Sequence, residues 1–190
     1  MKTEKEKMLS GELYDASDKQ LSAERQRARL VFQKLNATRD DQEVERSSLI
    51  KELIPMQGRD IWIEPPFYCD YGTNIELGDN VFFNFNCVVL DVMPVKIGSN
   101  VFCAPGVQIY TAKHPVDAAI RREMLEYAEP VTIGDDVWLG GGTLVMPGVT
   151  IGARSVIGAG SVVTKDIPSD VVAVGNPCKV VRELTPEERT

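Results

Sequence analysis

The chain has 190 residues, of which 43% are hydrophobic and 26% are charged, and its formal net charge is −7. This length and composition are typical of one compact globular domain with an appendage, and they argue against a disordered chain. No apolar run reaches the roughly 20 residues of a membrane span, and residues 1–15 lack the apolar stretch of a secretory signal. An acidic chain also repels the phosphate backbones of nucleic acids. We therefore expect a cytoplasmic protein without a membrane or nucleic-acid partner.

Residues 1–60 are predicted to form a helical cap, in which 12 Lys/Arg balance 12 Asp/Glu. Ser17 and Gln20 fit a capping box at the start of a first helix. Its apolar face is predicted to consist of Leu21, Ala28, Leu30, Val31 and Leu35, and the helix is predicted to end at Asn36-Ala37-Thr38. A second helix is predicted to start at Asp40 or Asp41, to continue through Val44 to Leu49, Ile50 and Leu53, and to stop at Pro55.

A six-residue repeat replaces the helical pattern beyond residue 60. In its most regular part an aliphatic residue stands at every sixth position, namely Ile133, Leu139, Val145, Ile151, Ile157 and Val163. Short strands joined by tight turns fit this spacing, because each strand points one aliphatic side chain inward while Gly, Asn and Asp supply the corner conformations. Three hexapeptides make one turn of a triangular prism, so the repeat predicts a parallel β-solenoid over residues 61–183, followed by a tail at 184–190.

The repeat stops at His114, which is the only histidine of the chain, and a non-repeating stretch runs to about residue 129. Imidazole titrates near neutral pH, so a sole histidine at a break in a strict repeat is a candidate general base. A loop histidine without function is the alternative. One histidine excludes the three-histidine zinc site of the γ-class carbonic anhydrases, which share the solenoid, and no ligand cluster indicates a metal.

The four cysteines, Cys69, Cys87, Cys103 and Cys178, form no C-x-x-C pair. Free thiols are therefore expected. Cys103 and Cys87 occupy the first and fifth repeat positions, so we interpret them as core residues rather than as nucleophiles.

Five segments together resemble the maltose and galactoside O-acetyltransferases, a family of hexapeptide-repeat acyltransferases. They are EKEKMLSGELYDASD at 4–18, YTAKHP at 110–115, VWLGGG at 137–142, VIGAGSVVTKDIP at 156–168 and VGNPCKVVRE at 174–183. The resemblance covers essentially the whole chain. It implies a mainly β protein: a left-handed parallel β-helix with an N-terminal helical cap at 1–60 and a protruding loop near 115–129.

The resemblance also implies transfer of an acetyl group from acetyl-CoA to a sugar hydroxyl by direct attack, without a metal. His114 is then the general base, and the backbone N–H of Gly141 is the donor to the oxyanion. The implied acceptor-binding residues are Asp15, Asn84, Asp91 and Glu126. The implied coenzyme A site consists of Trp138, Gly141, Ala159, Thr164, Lys165, Lys179 and Arg182. The family forms homotrimers with active sites between subunits, so His114 is expected to face Trp138 of a neighbouring copy.

The residue at position 126 bears on the identity of the acceptor. Galactoside-directed relatives have methionine where this chain has Glu126, which favours a maltose- or glucose-type sugar. The resemblance also implies attack by the 6-hydroxyl of that sugar. An acetyltransferase of the same fold that acts on a galactoside, an amino sugar or serine is the enzymatic alternative. A non-catalytic sugar-binding scaffold is the alternative from another class.

Overall fold

Three helices form the N-terminal part of the computed structural model, which describes residues 2–189. They are α1 (Glu4–Leu9), α2 (Lys19–Asn36) and α3 (Glu43–Leu53). The end of α2 is confirmed, but its N-cap is Asp18, whose carboxylate accepts hydrogen bonds from the backbone N–H groups of Gln20 and Leu21. Ser17 instead donates its hydroxyl proton to Asp15. The predicted capping box is one residue too early, because serine and aspartate are both favourable caps.

The apolar faces of α2 and α3 differ in part from the predicted ones. Leu30 and Val44 point into solvent, with 55% and 88% of their surface exposed, whereas Arg46 is buried. The Arg46 guanidinium lies 5.7 Å from the ring centroid of Trp62 and 3.5 Å from the carboxylate of Glu64, so the first coil compensates its charge. The helical period of the sequence cannot indicate this burial, because part of the compensation comes from Trp62 and Glu64 of the first coil.

Short strands follow the helices and wind into stacked coils. In chain order the strands are β1 (Tyr14–Asp15), β2 (Met56–Gln57), β3 (Trp62–Ile63), β4 (Phe67–Cys69), β5 (Ile75–Leu77), β6 (Phe82–Phe83), β7 (Cys87–Leu90), β8 (Val95–Ile97), β9 (Phe102–Cys103), β10 (Gln108–Tyr110), β11 (Ala112–Lys113), β12 (Leu125–Ala128), β13 (Val131–Ile133), β14 (Trp138–Leu139), β15 (Leu144–Val145), β16 (Thr150–Ile151), β17 (Val156–Ile157), β18 (Val162–Val163), β19 (Val171–Val174) and β20 (Lys179–Glu183).

Three sheets form the sides of the solenoid. Sheet I contains β2, β5, β8, β13 and β16; sheet II contains β3, β6, β9, β14, β17, β19 and β20; sheet III contains β4, β7, β10, β15 and β18. Pairing is parallel throughout except between β19 and β20, which form an antiparallel hairpin at the C-terminal end. The parallel β-solenoid predicted from the hexapeptide repeat is confirmed.

The inward side chains and the corners follow from the repeat. The aliphatic column inside the coils forms one buried cluster with the apolar faces of α2 and α3, so the helices and the solenoid share a core. At the corner between sheets I and II, non-glycine residues adopt a left-handed backbone with φ between 55° and 62°, among them Asn80, Asn100 and Asp136. Asparagine and aspartate tolerate this conformation.

None of the helices in residues 2–189 is long and apolar enough to cross a membrane.

The coils differ in length at one corner. The passage from sheet III to sheet I advances by six positions from Val145 to Ile151, but by eight positions between the equivalent residues Val89 and Ile97. Adjacent rungs of sheet III are therefore 18 residues apart in the later coils and 20 apart in the earlier ones. The lengthened corner is the place where the chain leaves the solenoid after β10.

Candidate active site

His114 lies at the end of a small sheet that stands apart from the solenoid. After β10 the chain forms β11, continues through a short helix, α4 (Ala118–Arg122), and returns as β12 before it re-enters the coils at β13. β12 pairs antiparallel with β11 on one side and with β1 of the helical cap on the other. The stretch 115–129, predicted to be a protruding loop, thus contains a helix and a strand. The pairing of β12 with β1 joins this stretch to the cap.

A cavity of about 300 Å³ opens beside the His114 imidazole. Its polar side chains come from the cap, the lengthened corner and β12; they are Tyr14, Arg25, Arg29, Asp70, Tyr71 and Glu126. The Nε2 atom of His114 lies 4.0 Å from Oε1 of Glu126, and Oε2 of the same carboxylate accepts a 2.7 Å hydrogen bond from the Tyr14 hydroxyl. The His114 side chain is 53% exposed, so a ligand in the cavity can reach the imidazole.

The charged groups of the cavity have opposite signs. Arg25 donates hydrogen bonds to the Tyr71 hydroxyl and to the Ala16 carbonyl. Burial raises the pKa of Asp70, and the nearby guanidinium groups of Arg25 and Arg29 oppose this rise. Burial also raises the pKa of Tyr71 to about 12, so its hydroxyl stays protonated at neutral pH. Sugar hydroxyls both donate and accept hydrogen bonds, and this set of carboxylates, guanidinium groups and phenols offers both kinds of partner.

Asp91, which the family resemblance places in the acceptor site, is fully buried. Its carboxylate accepts hydrogen bonds from the backbone N–H groups of Asp70, Tyr71 and Asn74. Burial raises the pKa of Asp91 to about 7 in spite of these bonds. Asp91 therefore holds the lengthened corner together and is inaccessible to an acceptor. Asp70 lines the cavity, although the sequence patterns do not single it out. The one sequence feature that could have indicated it is a charged residue directly after β4, a strand whose first and last residues are buried.

Asp15 and Asn84 lie outside the cavity. Asp15 is exposed on β1, and its carboxylate accepts hydrogen bonds from the backbone N–H and the hydroxyl of Ser17. Asn84 follows β6 and lines a separate cleft of about 420 Å³ together with Phe102 and Trp138. Of the four residues predicted to bind the acceptor, all of them within the described chain, one lines the cavity beside the imidazole, and it is Glu126.

Gly141 lies at a corner built of small residues. The Gly142 N–H donates to the Pro105 carbonyl of the preceding coil, and the Gly160 N–H of the following coil donates to the Gly141 carbonyl. The Gly141 N–H itself has no hydrogen-bond acceptor among residues 2–189. A backbone donor at a corner without bulky side chains is open to the carbonyl oxygen of a ligand.

The remaining residues predicted to bind coenzyme A lie on the outside of the later coils. Ala159, Thr164, Lys165, Lys179 and Arg182 are exposed there. Trp138 lines two clefts of sheet II, of about 420 and 600 Å³, and Arg182 lines the larger one together with Arg154 and Arg189. Glu188 holds the Arg182 guanidinium through two N–O contacts of 2.6 and 2.8 Å.

The two halves of the predicted site are separate within one chain. The cavity beside His114 contains none of the residues predicted to bind coenzyme A. Trp138, the large aromatic residue of that set, lies instead on the outer face of sheet II. One copy of the described chain therefore does not bring the imidazole and these residues into one cleft.

The four cysteine thiols lie in the interior of the described chain. Cys69, Cys87, Cys103 and Cys178 are free and buried, and burial raises the pKa of each thiol. A buried thiol with a raised pKa is a poor nucleophile, which confirms Cys87 and Cys103 as core residues. Throughout residues 2–189, no group of three or more His, Cys, Asp or Glu side chains is placed to hold a metal ion.

Two known families match parts of the chain. Residues 7–56 match the maltose acetyltransferase hexapeptide capping motif, and residues 130–165 match the bacterial transferase hexapeptide family with six repeats. The first match covers α2, α3 and the strand β1 that supports the small sheet. The second covers the most regular coils.

Similar proteins cover nearly the whole chain. A galactoside O-acetyltransferase of Escherichia coli K12 is 42% identical over 184 residues, which are 97% of this chain and 91% of the relative. The crystal structure of a maltose O-acetyltransferase from Clostridium difficile 630 has a TM-score of 0.96 at 50% identity and covers 97% of this chain and 98% of that one. The structure of a galactoside acetyltransferase in complex with coenzyme A has a TM-score of 0.96 at 41% identity, with 100% and 94% covered.

Proposed function

The chain belongs to the maltose and galactoside O-acetyltransferase family and is an acetyltransferase, and from this premise we propose that it transfers the acetyl group of acetyl-CoA to the 6-hydroxyl of a maltose- or glucose-type sugar. The observation that carries the proposal is the cavity in which the exposed imidazole of His114 lies beside Glu126 and Asp70. The coenzyme A bound to a similar solved structure supports the donor.

In the proposed reaction, the acceptor hydroxyl attacks the thioester carbonyl carbon while its proton passes to the imidazole of His114. A hydroxyl is scarcely ionised at neutral pH, so the attack needs a base that titrates in this range. The carbonyl oxygen carries negative charge in the tetrahedral intermediate, and the Gly141 N–H is the proposed donor to it. Collapse of the intermediate breaks the carbon–sulfur bond, and the imidazolium gives its proton to the departing thiolate.

The proposed acceptor site has two sides. Glu126 and Asp70 contact the sugar on the His114 side, with Asp15 at the rim because it follows Tyr14 on β1. Asn84 reaches the sugar from a neighbouring copy, since it shares its cleft with Trp138. A carboxylate at position 126 offers a hydrogen-bond acceptor to a glucose-type hydroxyl.

The proposed donor site uses local positive charge. Residues 61–190 carry 9 Lys/Arg against 16 Asp/Glu, so a polyanionic ligand needs a basic cluster. Lys165, Lys179 and Arg182 are proposed to bind the phosphates of coenzyme A. Ala159, Thr164 and Trp138 are proposed to line its pantetheine arm.

A homotrimer is proposed to complete the site. The aromatic residues Trp62, Phe82, Phe102 and Trp138 stand on successive rungs of sheet II and form one outward-facing row. Phe102 and Trp138 are 47% and 53% exposed in the single chain, which is unusual for a surface that remains in solvent. Burial of this row against a second copy would bring Trp138 toward the partner's imidazole.

The four free thiols suit a reducing compartment, and we place the protein in the cytoplasm.

Replacement of the imidazole tests the mechanism. His114→Ala is expected to slow acetyl transfer to maltose by about 100-fold or more, because general base catalysis contributes at least this factor. Release of the coenzyme A thiol measures the transfer. Binding of coenzyme A, measured by calorimetry, should persist because its proposed ligands lie in other clefts. Transfer that continues within about tenfold of the parent rate would exclude His114 as the base.

A panel of acceptors separates the alternatives. Maltose and glucose are expected to give faster thiol release than galactosides, amino sugars or serine. A preference for an amino sugar or serine would replace the sugar hydroxyl as the acceptor and leave the fold unaffected. Sugar binding without thiol release from acetyl-CoA would favour the non-catalytic scaffold.

A further inference from the structure

One buried tyrosine of the helical cap contacts the Glu126 carboxylate beside His114. Tyr14 is 1% exposed, and its hydroxyl donates a 2.7 Å hydrogen bond to Oε2 of Glu126, which is 112 residues away in the chain. Burial and the adjacent carboxylate raise the pKa of Tyr14 well above its usual range, so the hydroxyl remains the donor of this bond. A buried phenol needs a partner of this kind, because an unpaired hydroxyl is costly in the interior.

Strand pairing also brings Tyr14 and Glu126 together. Tyr14 and Glu126 are paired residues of β1 and β12, and β12 also pairs with β11, directly before His114. The tyrosine holds one oxygen of the carboxylate, and the other oxygen then faces the imidazole, with Oε1 4.0 Å from Nε2. A free glutamate on a surface strand would sample several rotamers, whereas a glutamate bonded at one oxygen retains one orientation.

We propose that Tyr14 is a positioning residue that orients the Glu126 carboxylate toward His114, so that this carboxylate stabilises the positive charge which the imidazole gains when it takes the acceptor proton. This inference rests on the proposed function, in which His114 is the base. Tyr14 touches neither the proposed acceptor hydroxyl nor the donor, and it acts through Glu126.

The other charges of the cavity permit this role. Asp70 adds negative charge, while Arg25 and Arg29 are the cations in the cavity wall. Arg25 directs its hydrogen bonds to Tyr71 and to the Ala16 carbonyl, and no hydrogen bond joins it to Glu126 in the described chain. The negative charge of Glu126 therefore remains available to the imidazolium, and attraction across 4.0 Å is stronger in a half-buried cavity than in water.

A double-mutant cycle tests the coupling. Tyr14→Phe is expected to lower kcat about 3- to 10-fold, the range of one hydrogen bond, and to leave the KM for acetyl-CoA unchanged. Glu126→Gln removes the charge that Tyr14 holds in place. The combination Tyr14→Phe/Glu126→Gln is therefore expected to have the kcat of Glu126→Gln, rather than the product of the two losses.

Tyr71 provides the matched control, because it is equally buried and its hydroxyl is also hydrogen-bonded in this cavity, but to Arg25. Tyr71→Phe combined with Glu126→Gln is expected to show multiplied effects, as for independent sites. If Tyr14→Phe and Glu126→Gln also multiply, or if Tyr14→Phe alters thermal stability and leaves kcat unchanged, Tyr14 is a structural residue and the inference is overturned.

Glu126→Asp keeps the test available if Tyr14→Phe does not fold. The aspartate retains the charge but is shorter by one methylene group, so it loses the tyrosine contact while β12 keeps its pairing. It is expected to lose kcat by about the same factor as Tyr14→Phe, and full activity would overturn the inference. Failure of the proposed function looks different, since His114→Ala would then retain activity whatever the outcome at Tyr14.

Discussion

Two aspartates one coil apart, Asp70 and Asp91, carry the same functional group and differ in what surrounds it. Asp91 is enclosed by backbone N–H donors of the preceding corner, and Asp70 faces a cavity with two arginines. Each aspartate directly follows a strand, but Cys69 pairs in register with Val89, so Asp70 stands one position and Asp91 two positions beyond equivalent buried residues. Because inward and outward side chains alternate, this offset of one position matches the burial of Asp91 and the partial exposure of Asp70. The lengthened corner then supplies the backbone N–H donors that enclose Asp91.

The stability of the protein is expected to depend on pH through Asp91. Burial raises the pKa of this carboxyl from its ordinary value near 3.8 to about 7, so between these values the folded state holds a proton that the unfolded state releases. The free energy of unfolding then falls as the pH rises through this window, by at most about 1.4 kcal/mol per pH unit for one proton. Chemical denaturation across the window, with Asp91→Asn beside the parent, measures this contribution.

Asp91→Asn cannot titrate and is expected to lack this part of the slope. Asp60→Asn is the control, because Asp60 is an exposed corner aspartate with a left-handed backbone that asparagine also adopts. It should keep the parental slope. Identical slopes for the parent and Asp91→Asn would contradict a proton held at Asp91.

At the scale of elements, a change of coil length creates the site. The two additional residues per coil at the corner between sheets III and I bring Asp70 and Tyr71 to the cavity and give the chain its exit after β10. The small sheet β1-β12-β11 then ties the exit to the helical cap. A strictly regular solenoid would present flat sides, whereas this irregular corner provides an enclosed wall.

The C-terminal end contains an acid that would compete with coenzyme A for Arg182 in the proposed donor site. The 3₁₀ helix Pro186–Arg189 contains Glu188, whose carboxylate accepts hydrogen bonds from Nη1 and Nη2 of Arg182. The proposed function requires a phosphate at these two atoms. Glu188→Gln removes this exposed ion pair, so the KM for acetyl-CoA is expected to fall about two- to fivefold while kcat stays constant. Steady-state kinetics at saturating maltose measure the change.

Glu183→Gln is the matched control for this effect, because Glu183 is a nearby exposed acid that pairs with Arg189 rather than with Arg182. It should leave the KM close to the parental value. A KM that is unchanged in Glu188→Gln would mean that Arg182 does not meet the phosphates.

At the scale of the whole molecule, the groups proposed for catalysis and for coenzyme A binding lie at two different places on one prism. His114 with its cavity lies at the lengthened corner, while Trp138 and Arg182 line a cleft of sheet II. The apolar row of sheet II, with Phe102 near its middle, marks the proposed contact with a second copy. In the proposed function, this separation makes activity depend on assembly.

Phe102→Arg is expected to disrupt the proposed trimer and, with it, acetyl transfer, because it places a charge in the apolar row. The Phe102 side chain points outward, so the fold of the chain should survive, as circular dichroism would register. Sedimentation measures the oligomeric state. Thr132→Arg, an equally outward substitution on sheet I of the next coil, is the control and should remain trimeric. A Phe102→Arg protein that stays trimeric and active would place the interface elsewhere.

The amino-acid sequence by itself determined the solenoid, the family and the helical cap. An aliphatic residue at every sixth position predicts stacked coils because burial of one side chain per strand is a local requirement that each hexapeptide meets independently. The break at His114 is equally visible, because it interrupts a strict period. Helix ends marked by proline or by turn residues were predicted well for the same local reason, whereas the N-cap Asp18 and the exposed Val44 required knowledge of packing.

Tertiary structure decided which polar residues meet. The pairing of Tyr14 with Glu126 joins segments 112 residues apart, and the burial of Asp91 depends on a corner formed by the preceding coil. No periodic pattern encodes such contacts, because each depends on the stacking of elements that are distant in the chain. The wall of the cavity beside His114 is for this reason a property of the folded molecule, while the strands that support it follow from the repeat.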